Sequence, residues 1–196
     1  MPRPANPETR TRLLEKGGDL VISRGFNATG VQEITAAAGV PKGSFYNYFD
    51  SKEAFAVEVL NDYWTQVGEL YGPILTDKQI APLSRIARYF DGLADFHARH
   101  RYAFGCLIGN MALEVTPSSE EVRVRLASVY KEWATSLADC LREAQARKDL
   151  APGRDINQLA AALIDTFEGA IMRAKVERTK APFNNFKRSV LPCLLA

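Results

Sequence analysis

The sequence predicts an all-α protein: a helix-turn-helix near the N-terminus, followed by a larger helical bundle. Three observations carry this expectation. Apolar residues recur at helical spacing along the whole chain. The breaks between these stretches fall at Gly- and Pro-containing turns, and no stretch alternates as a strand would. Between Thr29 and Lys52, two short helical segments flank a tight Gly39-Val40-Pro41 turn.

The first helix begins at Asn6-Pro7, a capping residue followed by proline at the first helical position. Leu13, Leu14, Gly17, Leu20 and Val21 mark its apolar face, and Arg24-Gly25 ends it. Thr29-Gly30 starts the second helix, with Gln32 three residues beyond Thr29 in capping-box spacing and Val31, Ile34, Ala37 and Ala38 on the apolar side. Pro41 opens a short helix over 42–49, in which Phe45 and Phe49 lie four apart on one face. Asp50 or Ser51 caps a longer helix, about 51–71, which the Gly72-Pro73 pair is expected to end. Further helices are expected over 82–100, 103–115, 119–147, 156–178 and 184–194. The chain is expected to divide into an N-terminal domain, 1–52, and a C-terminal domain, 53–196.

Composition sets outer bounds. At 196 residues, 46% apolar and 24% charged, the chain is ordinary globular protein with enough length for a real core. A net charge of +2 is too small to imply nucleic acid, so any basic footprint must be local. The three cysteines, Cys106, Cys140 and Cys193, are odd in number and widely spaced, which argues against a disulfide framework or a zinc site and for reduced thiols in a cytoplasmic protein. Residues 1–6 carry no apolar leader, and no apolar run reaches the ~18–20 residues of a membrane span. There is no Gly-rich phosphate loop, HExxH, GxSxG or paired-carboxylate motif, so no cofactor, metal or catalytic residue is expected, and the chain reads as a non-enzyme. A cysteine-dependent enzyme built on Cys106 is the distant alternative. His97 and His100, beside Arg99 and Arg101 near a helix end, read as cations favoured by the helix dipole rather than as ligands or bases.

The helix-turn-helix supplies the chemistry. Once Phe45 and Phe49 face inward, Lys42, Ser44, Tyr46, Asn47 and Tyr48 are left on the outer side of the recognition segment. Lysine suits a phosphate or a guanine edge, serine and tyrosine hydroxyls suit phosphate oxygens, and asparagine can bridge adenine. Gly43 lets backbone approach the sugar-phosphate, and Lys52 starts the next helix, where free N–H groups favour a phosphate. Thr29 and Gln32, at the head of the preceding helix, complete the expected DNA-binding set.

The run from Gly25-Phe26-Asn27-Ala28-Thr29-Gly30 through Gly39-Val40-Pro41-Lys42-Gly43-Ser44-Phe45-Tyr46-Asn47-Tyr48-Phe49-Asp50-Ser51-Lys52 strongly resembles the TetR family of repressors. Gly30 and Asn47-Tyr48 depart from the family's commoner residues, a second threonine and a tyrosine-histidine pair, and bear on operator preference. The resemblance implies an N-terminal three-helix helix-turn-helix DNA-binding domain over 1–52, a helical-bundle regulatory domain for effector sensing and dimerisation over 53–196, and a homodimer on double-stranded operator DNA, assembled through the last two long helices of each subunit, here about 156–178 and 184–194. Leu159, Leu163, Phe167, Ala170, Ile171 and Ala174 form an apolar stripe with small residues that suits such a contact.

Two further segments, Gly105 to Glu114 and Phe167 to Lys175, resemble the branch of the family that responds to electrophiles, including the N-ethylmaleimide-responsive and acrylate-responsive repressors. That likeness implies a small-molecule effector site at Cys106, with Lys175 near it. Cys106 and Asn110 share one helix face, and Glu168 and Lys175 share another, so a thiol, an amide, a carboxylate and an ammonium are expected to line the effector site. The expected effector is a reactive electrophile or unsaturated acid; the alternative is a non-covalent organic acid or acyl thioester acting on the same DNA-binding regulator.

Overall fold

The computed structural model describes residues 6–196, and every regular element among them is helical. In chain order these are α1 (Pro7–Arg24), α2 (Val31–Ala37), a 3-10 segment (Lys42–Asn47), α3 (Lys52–Thr76), α4 (Pro82–Arg99), α5 (Leu107–Glu114), α6 (Glu120–Ala146) and α7 (Ile156–Glu177). They are followed by α8 (Ala181–Asn185), a π-helical turn (Phe186–Val190) and α9 (Leu191–Leu195).

Three boundaries differ from expectation. Gly72-Pro73 does not end α3, which runs on to Thr76 with Pro73 inside it. An interior proline costs on the order of 3 kcal/mol, but Tyr71 and Leu75, four apart, are both buried and keep the helix in register past it. The helix expected over 103–115 begins only at Leu107; Arg101 and Tyr102, with φ of 53° and 57°, turn the chain after α4, and residues 103–106 are irregular. The C-terminal helical run begins at Ala181 rather than 184.

The described chain forms two compact units. The first takes in the residues up to Trp64 together with Leu107–Ala127, and the second takes in Thr65–Cys106 with Ser128–Ala196, so α3 and α6 contribute to both.

The first unit is built around Leu13, Val21, Ile34, Phe45, Phe49, Phe55 and Leu60, all buried. Phe45, Phe49 and Phe55 pack ring to ring, with centroids 5.1–5.5 Å apart. Gly17 permits this packing: a Cβ there would stand 2.6 Å from the Phe55 ring and 2.7 Å from Ile34. Arg10 lies over the Phe49 ring at 5.5 Å and pairs with Glu58 at 3.0 Å.

In the second unit, Phe90, Phe167, Phe183 and Phe186 form an aromatic core. Arg85 is also buried in this unit, donating to the Leu75 carbonyl at 2.7 Å and pairing with Glu143, which Lys78 also meets. The hydrogen bonds from Arg85 and Lys78 hold the Glu143 carboxyl below its ordinary pKa. Leu159, Leu163, Phe167, Ala170, Ile171 and Ala174 all point into this core. The stripe expected to meet a partner subunit is therefore interior packing, because an α7 lying across its own unit must bury its most apolar side there first.

Candidate nucleic-acid interface and effector site

In the first unit, Gly39 turns the chain with φ of 67°, and Val40 N–H closes the turn on the Thr35 carbonyl at 2.9 Å. Pro41 then starts the recognition segment, which winds as a 3-10 helix rather than an α-helix. Phe45 is wholly buried while Lys42, Gly43, Tyr46 and Asn47 are exposed, with Tyr46 at 58%. Ser44 and Tyr48 are half-buried. The Tyr48 hydroxyl accepts from the Asn6 N–H at 2.9 Å, tying the start of α1 to the recognition segment. Gln32 is exposed on α2.

Two residues of the expected DNA-binding set are committed inward. Thr29 is fully buried, and its hydroxyl donates to the Gly25 carbonyl at 2.8 Å. The N-cap of α2 is Gly30 instead, whose N–H donates to Glu33 at 2.9 Å, so the capping pair lies one residue later than Thr29 and Gln32. Lys52 donates to the Phe26 carbonyl at 2.7 Å and stands 4.0 Å from the centroid of the Phe26 ring. Burial lowers its pKa, against the opposing pull of Glu53, Glu114 and Glu33. The Thr29 hydroxyl thereby pairs the Gly25 carbonyl at the end of α1, and the Lys52 ammonium adds a second donor to the Phe26 carbonyl, which also accepts from the Thr29 N–H at 3.1 Å.

In the second unit, Cys106 is 5% exposed. Its thiol donates to the Glu168 carboxyl of α7 and lies near enough to Tyr89 and Tyr130 for its charge to act on both phenols. Burial pushes the Glu168 carboxyl above its ordinary pKa, with the thiol's hydrogen bond working the other way. Glu168 Oε1 is buried with no hydrogen-bond partner. Burial also raises Tyr130, and the charges of Glu168, Cys106 and Asp165 add to that rise. Tyr89 is raised chiefly by burial, offset by a hydrogen bond with Trp133. Lys175 lies on the exposed side of α7, and Asn110 lies on α5 in the first unit. Sequence spacing did not single out Tyr130; its place on the buried face of α6, three before Trp133, was the available signal.

His97 also departs from expectation. It is 5% exposed, stacks on Phe183 with centroids 5.7 Å apart, and is held neutral by burial rather than standing as a cation at the helix end. A groove of about 160 Å³ in the same unit is lined by Phe90, Phe183 and Phe186 with Lys180, Lys187 and Arg188 at its rim; neither Cys106 nor Glu168 lines it. Among the described residues no group of His, Cys, Asp and Glu could hold a metal ion, and no helix is long and apolar enough to cross a membrane.

Comparison with known proteins agrees with this geometry. Residues 13–59 match the family model described as bacterial regulatory proteins, tetR family, and residues 82–190 match the tetracyclin repressor-like C-terminal domain. The chain is 38% identical over 195 residues to the HTH-type transcriptional repressor DhaR of a Mycobacterium species, covering 97% of this chain and 94% of that protein. It is 30% identical over 178 residues to the HTH-type transcriptional repressor NemR of Escherichia coli, covering 91% of this chain and 89% of that one. The crystal structure of the reduced form of E. coli NemR superimposes with a TM-score of 0.83 at 28% identity, over 96% of this chain and 97% of the other. A regulatory protein TetR from Rhodobacter sphaeroides superimposes with a TM-score of 0.87 at 34% identity, over 94% and 97% of the two chains.

Proposed function

The chain belongs to the TetR family of DNA-binding transcriptional regulators, and we propose that it is a homodimeric repressor released from its operator by a small molecule sensed at Cys106 and Glu168. The observation that carries the effector reading is the buried pairing of the Cys106 thiol with a carboxyl whose Oε1 has no partner. An unsatisfied buried oxygen costs about 1–3 kcal/mol unless something pairs with it, so this locus gains from a guest that brings a donor. A thiol beside it offers a point of covalent attachment for an electrophile. The likeness to NemR supports placing the chain beside the electrophile-responsive branch.

Operator contact falls to Gln32, Lys42, Gly43, Ser44, Tyr46, Asn47 and Tyr48, which are exposed or half-exposed on α2 and the recognition segment. Dimerisation runs through α7 and the 184–194 stretch. Its support is a second stripe on α7, Ala161, Asp165, Gly169, Met172 and Val176, at helical spacing on the side away from the core. Met172 is 57% exposed and Val176 83%, and a Cβ at Gly169 would meet nothing. A stripe of small residues with two exposed large apolar ones suits a close helix–helix contact.

The test is a titration of the full-length protein onto DNA from its own upstream region, with and without a thiol-reactive enone, for wild type and Cys106→Ser. Release of wild type alone is the expected result. Release of both proteins by a non-covalent organic acid or acyl thioester, with neither moved by the enone, would overturn covalent sensing and leave the DNA-binding reading intact.

A further inference from the structure

The turn between α1 and α2 is held by a residue far away in sequence. The Asn27 N–H donates to Glu114 Oε2 at 3.0 Å, and Asn27 Nδ2 donates to the Glu114 main-chain carbonyl at 3.2 Å. Gly25, with φ of 93°, brings its backbone so close that a Cβ there would stand 2.6 Å from Glu114 Oε1. From the other side, Lys52 and Thr29 claim the carbonyls of Phe26 and Gly25 at 2.7 Å and 2.8 Å. Phe26 itself is 4% exposed. Residues 25–27 are thus pinned by groups from α5, from α3 and from their own chain.

We propose that Glu114 is a positioning residue for DNA binding: from the C-terminal end of α5 it fixes the 25–27 turn, and with it the placement of α2 against α1. A carboxylate is repelled by phosphate, so Glu114 does not serve by meeting DNA. Here the task is geometric. Residues 25–30 are all that separates the end of α1 from the start of α2, so a shift at Asn27 is passed on to α2 within a few residues. The recognition segment follows α2 through a tight turn and inherits that shift. The proposal rests on the DNA-binding role of the family and is independent of how any effector is sensed.

The experiment compares wild type, Glu114→Ala and Glu114→Gln as full chains. Each is titrated by fluorescence anisotropy onto a duplex selected on wild type from a random pool, at several salt concentrations, and melted by circular dichroism. Glu114→Ala is expected to lose roughly tenfold in affinity, the scale of a hydrogen bond to a charged acceptor. Its dependence of log affinity on log salt should keep the wild-type slope, because no phosphate contact has been removed. Glu114→Gln, which retains a carbonyl oxygen to accept from Asn27, should recover most of the loss. Wild-type affinity in Glu114→Ala would overturn the proposal. So would equal losses in both variants that merely follow a fall in melting temperature. If Glu114→Ala does not fold, Glu114→Asp decides, because its shorter side chain draws the carboxylate back from the Asn27 N–H: wild-type affinity overturns the proposal, and weaker binding with unchanged salt slope supports it.

Discussion

Lys52 donates its ammonium to the main-chain carbonyl of Phe26 at 2.7 Å while lying over that residue's ring at 4.0 Å. Opening a helix at the foot of a DNA-binding head, a lysine is ordinarily placed for phosphate. Here it serves as a strut for the turn that joins α1 to α2. The two roles separate experimentally. Lys52→Gln should lower the stability of the protein by about 1–2 kcal/mol, from one charge-assisted hydrogen bond and a partly exposed cation–π contact. It should leave the salt slope of operator binding as in wild type, whereas Lys42→Ala should reduce that slope by about one. Denaturant titration and salt-dependent anisotropy check the two arms. A reduced slope in Lys52→Gln would show that the ammonium reaches phosphate in the complex.

Acid should destabilise the second unit through His97. Burial pushes this imidazole down to about 4, with a hydrogen bond to the Phe104 carbonyl opposing and His100 assisting. In the unfolded chain it titrates near 6.5. Between those values the unfolded state binds a proton that the folded state does not. The stability carried by neutral His97 is therefore complete above about pH 6.5 and is lost as pH falls toward 4, by up to about 3 kcal/mol at 1.36 kcal/mol per unit. Melting temperatures between pH 7 and pH 4.5 should fall for wild type, and the fall should flatten in His97→Gln, whose side chain does not titrate.

The carboxyl facing Cys106 sets the thiol's reactivity. A neighbouring negative charge disfavours the thiolate, and only the thiolate attacks an electrophile. Glu168→Gln keeps the shape and removes that charge, so alkylation of Cys106 by N-ethylmaleimide at pH 7.5 should quicken by about threefold to tenfold, tenfold being one unit of thiol pKa. Intact-mass kinetics on a Cys140→Ser, Cys193→Ser background would read it. A slower reaction would instead assign Glu168 as the base that takes the thiol proton.

The exposed stripe of α7 should carry self-association. Met172→Glu together with Val176→Glu places two like charges where the proposed two-fold contact brings α7 against its copy. Sedimentation velocity should show a monomer, with operator affinity falling steeply because two half-sites are no longer engaged together. Substituting Leu163, which is wholly buried in its own unit, should unfold the unit rather than dissociate an intact dimer. A dimer that survives both glutamates would move the interface off this stripe.

Local chemistry made much of this protein legible from its sequence. Pro7 after Asn6, Gly25 after Arg24, and the Gly39-Val40-Pro41 turn each fix backbone conformation within a few residues, and α1, α2 and the recognition segment fall where those signals put them. Phe45 and Phe49, four apart, had one side on which to be buried, and the exposure of Lys42, Tyr46 and Asn47 followed. The family, too, was written in that contiguous block.

What the sequence could not decide was where long side chains end and which of two apolar faces turns inward. Lys52 and Thr29 have side chains that suit phosphate, and only the carbonyls of Phe26 and Gly25 that the fold sets beside them drew both inward. Residues 159–174 and the stripe from Ala161 to Val176 both repeat at helical spacing. The packing of Phe90, Phe183 and Phe186 claimed the first and left the second exposed. Glu114 lies 87 residues from Asn27, and no local pattern links them. Helical periodicity constrains neighbours within a turn or two, whereas contacts between distant segments are chosen by the packing of the whole chain, and it is those contacts that place Glu168 against Cys106 and Glu114 against the turn after α1.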